Sequence, residues 1–267
     1  CTRCVMDTTD PDIVFDADGI CNNCTGFINR LQSRGYVKGE SEAVFQKFAE
    51  VIKNHGKGKT YDCIVGISGG VDSCYVAYLC KQYGLRALLI HMDNGWDTEI
   101  AVNNIISLAK ALDYDYLSYV LDWEEFKNIQ LAFLKSSSVD LEMPTDVAIL
   151  ASIYETAAKN DIKYIISGGN LSSEGILPLQ WGYHGHKDMK MYNYIVKKHS
   201  DTKIRKVPVI GLVKESYYRF VRKMKTIYIL NYHHYDKDAA KKYLMDHLGW
   251  KDYGGKHHES KITAWWQ

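Results

Sequence analysis

The sequence predicts an α/β fold, in which a doubly wound, mostly parallel five-stranded sheet carries helices on both faces and follows a small cysteine-rich module. Three observations support this prediction. Short apolar runs rich in β-branched residues alternate with segments of helical periodicity, the pattern of parallel strands joined by crossover helices. A glycine-rich turn follows the first apolar run directly, and four cysteines lie close together at the start of the chain.

The elements follow one another at regular intervals along the chain. The predicted strands are 63–67, 87–92, 116–121, 163–167 and 226–230. The predicted helices are a linking helix over about 44–56, followed by 72–83, 100–112, 123–134, 143–158 and 214–223. Proline and a polar starter at 143–146 favour a helix beginning there. Ligands of such a sheet bind beyond the carboxyl ends of its strands, so residues directly after strands are the first candidates for a site.

Composition narrows the classes of protein that the chain can represent. Its 267 residues are 46% hydrophobic, enough for the core of one α/β domain and an appendage. The net charge of +1 gives no global attraction to nucleic acid or membrane surfaces. No apolar run approaches the roughly eighteen residues that cross a bilayer, and the start lacks the regions of a secretion signal. We expect a cytoplasmic protein that binds neither nucleic acid nor membrane.

The four N-terminal cysteines form two CxxC pairs separated by sixteen residues. This spacing is typical of structural zinc sites, in which four thiolates surround the metal. The residues between the pairs are turn-like and supply little core, so metal binding would provide the folding free energy of the segment. We predict a zinc-ribbon-like module over 1–39 and a second domain over 40–267. The zinc ligands would be Cys1, Cys4, Cys21 and Cys24.

The glycine-rich turn SGGVDS lies between the first predicted strand and the helix after it. Its backbone amides and the helix N-terminus can converge on an anion, and two serine hydroxyls can donate to phosphate oxygens. Asp72 would hold Mg²⁺. The alternative is an ordinary glycine turn whose polar residues cap the helix. The residues of this turn are Ser68, Gly69, Gly70, Val71, Asp72 and Ser73.

In that setting SGGVDS resembles the PP-loop of the ATP pyrophosphatase superfamily, which includes amidotransferases, NAD synthetases and tRNA thiolases. The resemblance implies a fold like that of the adenine nucleotide alpha hydrolases, with the ATP α-phosphate facing the substrate and pyrophosphate leaving. It also implies that His91, Met92 and Asp93 lie by the adenosine. Across the pocket from them it places Gly168, Gly169 and Asn170.

The whole chain resembles the N-acetyl sugar amidotransferases of surface polysaccharide biosynthesis, the group that makes acetamidino sugars for lipopolysaccharides. The features that carry the resemblance are CTRCVMDTTDP at 1–11, the PP-loop, MPTD at 143–146, GGN at 168–170 and GGKHHES at 254–260. The resemblance implies conversion of an acetamido group to an acetamidino group on an N-acetylated sugar or nucleotide sugar. ATP, Mg²⁺ and ammonia are consumed, and a separate glutaminase with a cyclase-like channel subunit supplies the ammonia.

Two polar loops are candidates for sugar and ammonia handling. The loop at 177–187 would bind the sugar through aromatic rings and imidazoles, with a packed surface loop as the alternative. Its candidate residues are Trp181, Tyr183, His184 and His186. The loop near the C-terminus would bind phosphate or a sugar carboxylate, or relay protons from ammonia, and its alternative is a polar tail. Its candidate catalytic residues are Lys256, His257, His258 and Glu259.

Two other functions compete with the amidotransferase. A tRNA thiolase also joins a zinc module to this phosphate loop, but it needs cysteines near the ATP pocket and a basic stripe for tRNA. The remaining cysteines, Cys63, Cys74 and Cys80, lie singly inside predicted elements and do not form such a set. A non-catalytic zinc adaptor that binds nucleotide as a regulator is the third possibility.

Overall fold

The computed structural model describes residues 1–33, 40–138, 140–171, 175, 188–201, 203–255 and 258–266. Within these residues the chain forms one five-stranded sheet in which every pairing is parallel. The strands are β1 (Cys63–Gly66), β2 (Ala87–Asp93), β3 (Tyr116–Val120), β4 (Tyr164–Ser167) and β5 (Lys225–Tyr228). The predicted α/β fold with a parallel five-stranded sheet is therefore confirmed.

Helices occupy the intervals between the strands and both ends of the described chain. In chain order they are α1 (Asn22–Ser33), α2 (Glu40–Gly56), α3 (Val71–Gln82), α4 (Glu99–Leu112), α5 (Trp123–Lys135), α6 (Met143–Lys159), α7 (Met189–His199), α8 (Leu212–Ser216), α9 (Lys237–Leu248) and α10 (Lys261–Trp266). A π-helical turn (Tyr217–Val221) follows α8, and a 3-10 turn (Ile229–Tyr232) follows β5. Of the described helices, none has the length and apolar character to cross a bilayer.

The strand order β3-β2-β1-β4-β5 makes the sheet doubly wound. In the sheet, β2 and then β3 lie on one side of β1, whereas β4 and then β5 lie on the other side. β1 and β2 are buried along almost their whole length, which explains their continuous apolar runs. Between β1 and β4 the direction of winding reverses, and ligands of such sheets bind outside the carboxyl ends of the strands at this switch point.

Local signals determine most of the element boundaries. The side chain of Thr98 accepts a hydrogen bond from the Ala101 N–H at the start of α4, and that of Asp122 accepts one from Glu125 at the start of α5. The prediction for the last strand was wrong at its end, since β5 stops at Tyr228 instead of residue 230. Beyond it the backbone tightens into the 3-10 turn, which buries Ile229 and Leu230 in the core.

Candidate functional site

A cavity of 1200 Å³ opens at the carboxyl edge of the sheet, where the ends of β1, β2 and β4 meet the start of α6. Such an edge is where an open α/β sheet binds its ligands. The lining also includes Glu259, Ser260 and Thr263 near the C-terminal end of the described chain. Several residues predicted from the sequence to bind ATP or act in catalysis line it together: Ser68, Ser73, His91, Met92, Gly168 and Glu259.

The PP-loop turns sharply at Gly69, whose φ is +81°. A Cβ at this position would lie 2.4 Å from the carbonyl oxygen of Ala101 on α4, so the loop is fitted against that helix and admits only glycine. α3 then begins after Gly70, which makes no side-chain capping bond. The first turn of α3 therefore keeps its N–H groups directed towards the sheet edge, where a helix N-terminus attracts anions.

Two hydroxyl groups complete this cradle. The Ser73 Oγ donates to the carbonyl oxygen of Gly70 at 3.1 Å and accepts from the Ser68 N–H at 3.2 Å. The Ser68 and Ser73 hydroxyls are 3.2 Å apart. Because both serines line the cavity, their hydroxyls and the helix N-terminus face the same space, as phosphate binding requires.

The carboxylate of Asp72 is held by two residues at the start of α9. The Tyr235 hydroxyl donates to Asp72 Oδ1, and the Lys237 Nζ lies 3.1 Å from Asp72 Oδ2. Burial and the bond to Asp72 raise the pKa of Tyr235, so this phenol stays protonated. Both oxygens of the Asp72 carboxylate are thus engaged, so a Mg²⁺ ion at the predicted position would share the carboxylate with Tyr235 and Lys237 or displace one of them.

The back of the loop is held by residues that follow α9. The indole Nε1 of Trp250 donates to the carbonyl oxygen of Gly69 at 2.8 Å, and Trp250 is buried. The side chain of Asn104 on α4 makes two bonds to the backbone of Lys251, at 2.7 and 2.8 Å. Residues 235–255, which we call the collar, therefore contact the PP-loop at both Asp72 and Gly69.

The collar and the C-terminal segment also cover one side of the cradle. A Cβ on Gly70 would lie 3.2 Å from the Tyr253 hydroxyl and 3.6 Å from Glu259 Oε1. Burial and the nearby Glu259 raise the pKa of Tyr253. Glu259 is fixed through its backbone, since the Thr98 N–H donates to its carbonyl oxygen at 3.0 Å. The cradle is thus open to the cavity at Ser68 and Ser73 and covered at Gly70.

His91 connects the ends of the first two strands. One imidazole nitrogen lies 3.0 Å from the Ile67 carbonyl oxygen, and the other lies 3.1 Å from Asp97 Oδ2. Burial lowers the pKa of His91, but the hydrogen bond and charge of Asp97 outweigh it, so the pKa is raised overall. Met92 lines the cavity beside it and packs into the core. A contact of either residue with adenosine stays a prediction.

Other predicted residues lie away from the cavity lining. Asp93 accepts a bond from the Gly95 N–H at 2.9 Å, and Asn170 is buried. His258 is exposed and packs next to Gly255. Six other candidates lie outside the described residues: Trp181, Tyr183, His184, His186, Lys256 and His257.

Sequence reasoning missed the collar. Tyr235, Lys237 and Trp250 each contact the PP-loop across more than 160 residues of chain. No motif marks them, and a Tyr or Trp after a helix is an ordinary core residue in most chains. The only local signal was Asp236, which caps α9 by accepting from the Ala239 N–H and so fixes where that helix begins.

The four N-terminal cysteines come together as predicted. All four sulfur atoms lie within 4.8 Å of one another, with Cys1 and Cys24 3.9 Å apart and Cys4 and Cys21 3.8 Å apart. Tetrahedral zinc with Zn–S bonds of about 2.3 Å sets its sulfurs about 3.8 Å apart. The N–H of Cys24 donates to the Cys21 sulfur at 3.4 Å. The donor set therefore fits zinc, which would tie the N-terminal loop to α1.

Comparison with known families supports the nucleotide site. Residues 44–148 match the family model "NAD synthase", a stretch that runs from α2 through the PP-loop to the start of α6 and makes up less than half of the chain. The match supports an NAD synthase-like domain with the PP-loop ATP pyrophosphatase fold over these residues. No curated protein matches the chain.

Solved structures that resemble the chain do so at low scores. An NH3-dependent NAD synthetase from Campylobacter jejuni is 22% identical, with 50% of this chain and 58% of that chain covered and a TM-score of 0.38. An NAD+ synthetase from Burkholderia pseudomallei is 14% identical, with 77% and 85% covered and a TM-score of 0.38. A predicted tRNA methyltransferase subunit from Methanocaldococcus jannaschii is 13% identical, with 67% and 72% covered and a TM-score of 0.38.

The fit of Gly69 against α4 can be tested with a matched glycine. Gly58 also has a positive φ, of +77°, but a Cβ there would meet nothing within 4 Å. We expect Gly58→Ala and Gly69→Ala to share a backbone cost of about 1–2 kcal/mol in unfolding free energy. Only Gly69→Ala should also move the loop and weaken Mg·ATP binding at least tenfold in calorimetric titration. Equal ATP affinities of the two variants would contradict the proposed loop geometry.

Proposed function

We propose that this protein is an ATP-dependent amidotransferase that converts the acetamido group of an N-acetylated sugar to an acetamidino group, with AMP and pyrophosphate as products. The observation that carries the proposal is the anion cradle at the switch point, which opens into a cavity large enough for a nucleotide and a second substrate. The end-to-end resemblance to N-acetyl sugar amidotransferases supports the acceptor class, and the "NAD synthase" match supports ATP-dependent chemistry.

The chemistry explains why ATP is needed. An amide carbon is a poor electrophile because its oxygen leaves badly. In the first step the acetamido oxygen attacks the α-phosphorus, the bond from that phosphorus to the β-phosphate bridging oxygen breaks, and pyrophosphate leaves. Loss of the amide proton gives an O-adenylyl imidate. Ammonia then adds to the imidate carbon, the carbon–oxygen bond breaks, AMP departs with the former acetamido oxygen, and one proton passes to a base.

The residues around the cradle have distinct roles in this scheme. The α3 N-terminus with Ser68 and Ser73 binds the phosphates and orients the α-phosphorus towards the cavity. Lys237 supplies positive charge to the departing pyrophosphate once it leaves Asp72. Glu259, beside Gly70, is the carboxylate placed to take the proton from ammonia. Mg²⁺ held by Asp72 would neutralise further charge on the leaving group.

In this scheme, ammonia and the acceptor sugar are supplied by other molecules. On the resemblance to N-acetyl sugar amidotransferases, we propose a separate glutaminase, with a cyclase-like channel subunit, as the source of ammonia. The acceptor is a free or nucleotide-linked N-acetylated sugar. Zinc at the four cysteines has a structural role, and Cys63, Cys74 and Cys80 are buried with no part in the reaction.

Oxygen tracing tests the function directly. The chain is incubated with ATP, Mg²⁺ and an ammonium salt, which replaces the glutaminase, and with a panel of N-acetylated sugars labelled with ¹⁸O in the acetamido carbonyl. We expect the label to appear in AMP and not in pyrophosphate, as mass spectrometry would detect. Unlabelled AMP would contradict adenylation of that oxygen. AMP formed with tRNA alone would favour the thiolase, and no turnover with either acceptor would favour the adaptor.

The role of Lys237 has a matched control on the same helix. Lys241, one turn further along α9, pairs with Asp252 and does not contact the PP-loop. Because Lys237→Met removes a charge that stabilises the leaving pyrophosphate, we expect kcat for AMP formation to fall about 100-fold or more. Lys237→Arg should retain part of the rate, and Lys241→Met should stay within about twofold of the unsubstituted chain. Equal losses in the two Met variants would remove Lys237 from the mechanism.

A further inference from the structure

Two short segments meet beside the phosphate cradle. Residues 96–98, which follow β2 and end at the cap of α4, run alongside residues 259–261, which lead into α10. Backbone contacts join the two segments: a bridge between Asp97 and Ser260, a bond from the Thr98 N–H to the Glu259 carbonyl oxygen at 3.0 Å, and one from the Lys261 N–H to the Trp96 carbonyl oxygen at 2.8 Å. The position of Glu259 at the cradle therefore follows that of residues 96–98.

The side chain of Asp97 attaches this pair of segments to the sheet. Its Oδ2 lies 3.1 Å from one imidazole nitrogen of His91, whose other nitrogen lies 3.0 Å from the Ile67 carbonyl oxygen. A carboxylate and a carbonyl oxygen can only accept hydrogen bonds, so both ring nitrogens must carry protons to satisfy them. This geometry suits an imidazolium at His91, buried beside the carboxylate of Asp97.

The His91–Asp97 pair connects the two sides of the cradle. Ile67 directly precedes the PP-loop, and Glu259 Oε1 would lie 3.6 Å from a Cβ on Gly70. His91 and Asp97 thus stand between the start of the loop and the segment that covers it, and both line the cavity. Loss of this pair would leave the backbone contacts of the two segments in place but would remove their attachment to the sheet.

We propose that Asp97 is a positioning residue, which holds Glu259 at its distance from the phosphate cradle through the ion pair with His91. This role deepens the proposed function and rests on it, because Glu259 is there the carboxylate that takes the proton from ammonia. Displacement of a reacting group by about 1 Å can cost a factor of about 100 in rate, so the anchoring matters most in the ammonia step. Adenylation, which uses the α3 N-terminus and the two serine hydroxyls, should depend on it little.

Amide hydrogen exchange tests the positioning without any need for activity. Asp97→Ala is compared with Glu99→Gln, which removes an exposed carboxylate two residues further along the chain. Exchange is followed by NMR at the Thr98 and Lys261 amides, which donate hydrogen bonds between the two segments. We expect it to quicken about tenfold in Asp97→Ala and to change by less than about twofold in Glu99→Gln, because only the first variant loosens the segments.

Unchanged exchange in Asp97→Ala, or equal quickening in both variants, would overturn the positioning role. Asp97→Asn keeps an acceptor for the His91 N–H but not the charge, so its exchange rates should fall between those of Asp97→Ala and the unsubstituted chain. The same variant decides the question if Asp97→Ala fails to fold, since rates equal to those of the unsubstituted chain would show that the ion pair is not needed.

A double-mutant cycle with Glu259→Gln separates positioning from direct catalysis. Asp97→Ala should lower kcat/KM for ammonia about tenfold, while acceptor-dependent exchange of labelled pyrophosphate into ATP, which reports adenylation alone, stays within about twofold. In the Glu259→Gln background, Asp97→Ala should have little further effect. Additive losses would show that Asp97 acts on a substrate itself and would overturn the proposal. Absence of AMP formation in every chain would sink the proposed function and leave the amide exchange result standing.

Discussion

The site depends on the fit of the Gly69 turn between α4 and Trp250. On one side its backbone approaches the Ala101 carbonyl so closely that a Cβ would lie 2.4 Å away, and on the other its carbonyl oxygen accepts the Trp250 indole N–H at 2.8 Å. These two contacts hold the Gly69 backbone in its left-handed conformation just before α3 begins. The N–H groups at the beginning of α3 therefore stay at the sheet edge, and the positive end of that helix faces the cavity.

The charged side chains around the cradle suit a triphosphate that binds together with cations. Asp72 and Glu259 place two carboxylates near the loop, and a triphosphate would repel both in the absence of counter-charge. Lys237 already neutralises Asp72 at 3.1 Å. If Lys237 moved to the phosphates, a Mg²⁺ ion on Asp72 would leave both that carboxylate and the phosphates beside a cation. In the structure an ion pair occupies the position where the sequence predicted a metal ligand.

The sequence predicted those features whose signals are local. Alternating apolar runs identified all five strands, and SGGVDS after β1 located the cradle because strand, glycine turn and helix are adjacent in the chain. The spacing of Cys1, Cys4, Cys21 and Cys24 likewise anticipated their cluster. The collar was not predictable, because Lys237 reaches Asp72 across 165 residues and ordinary helix-start residues carry no sign of such a contact.

Tyr253 and Glu259 cover the Gly70 side of the cradle, so we expect a phosphate that binds there to displace the Tyr253 hydroxyl. A crystal structure with Mg²⁺ and a non-hydrolysable ATP analogue tests the central claim most directly. Phosphate oxygens should accept hydrogen bonds from the backbone N–H groups between Gly69 and Ser73, with the Tyr253 hydroxyl displaced from Gly70. An analogue bound elsewhere, with Tyr253 still over Gly70, would contradict the anion cradle and the enzyme built on it.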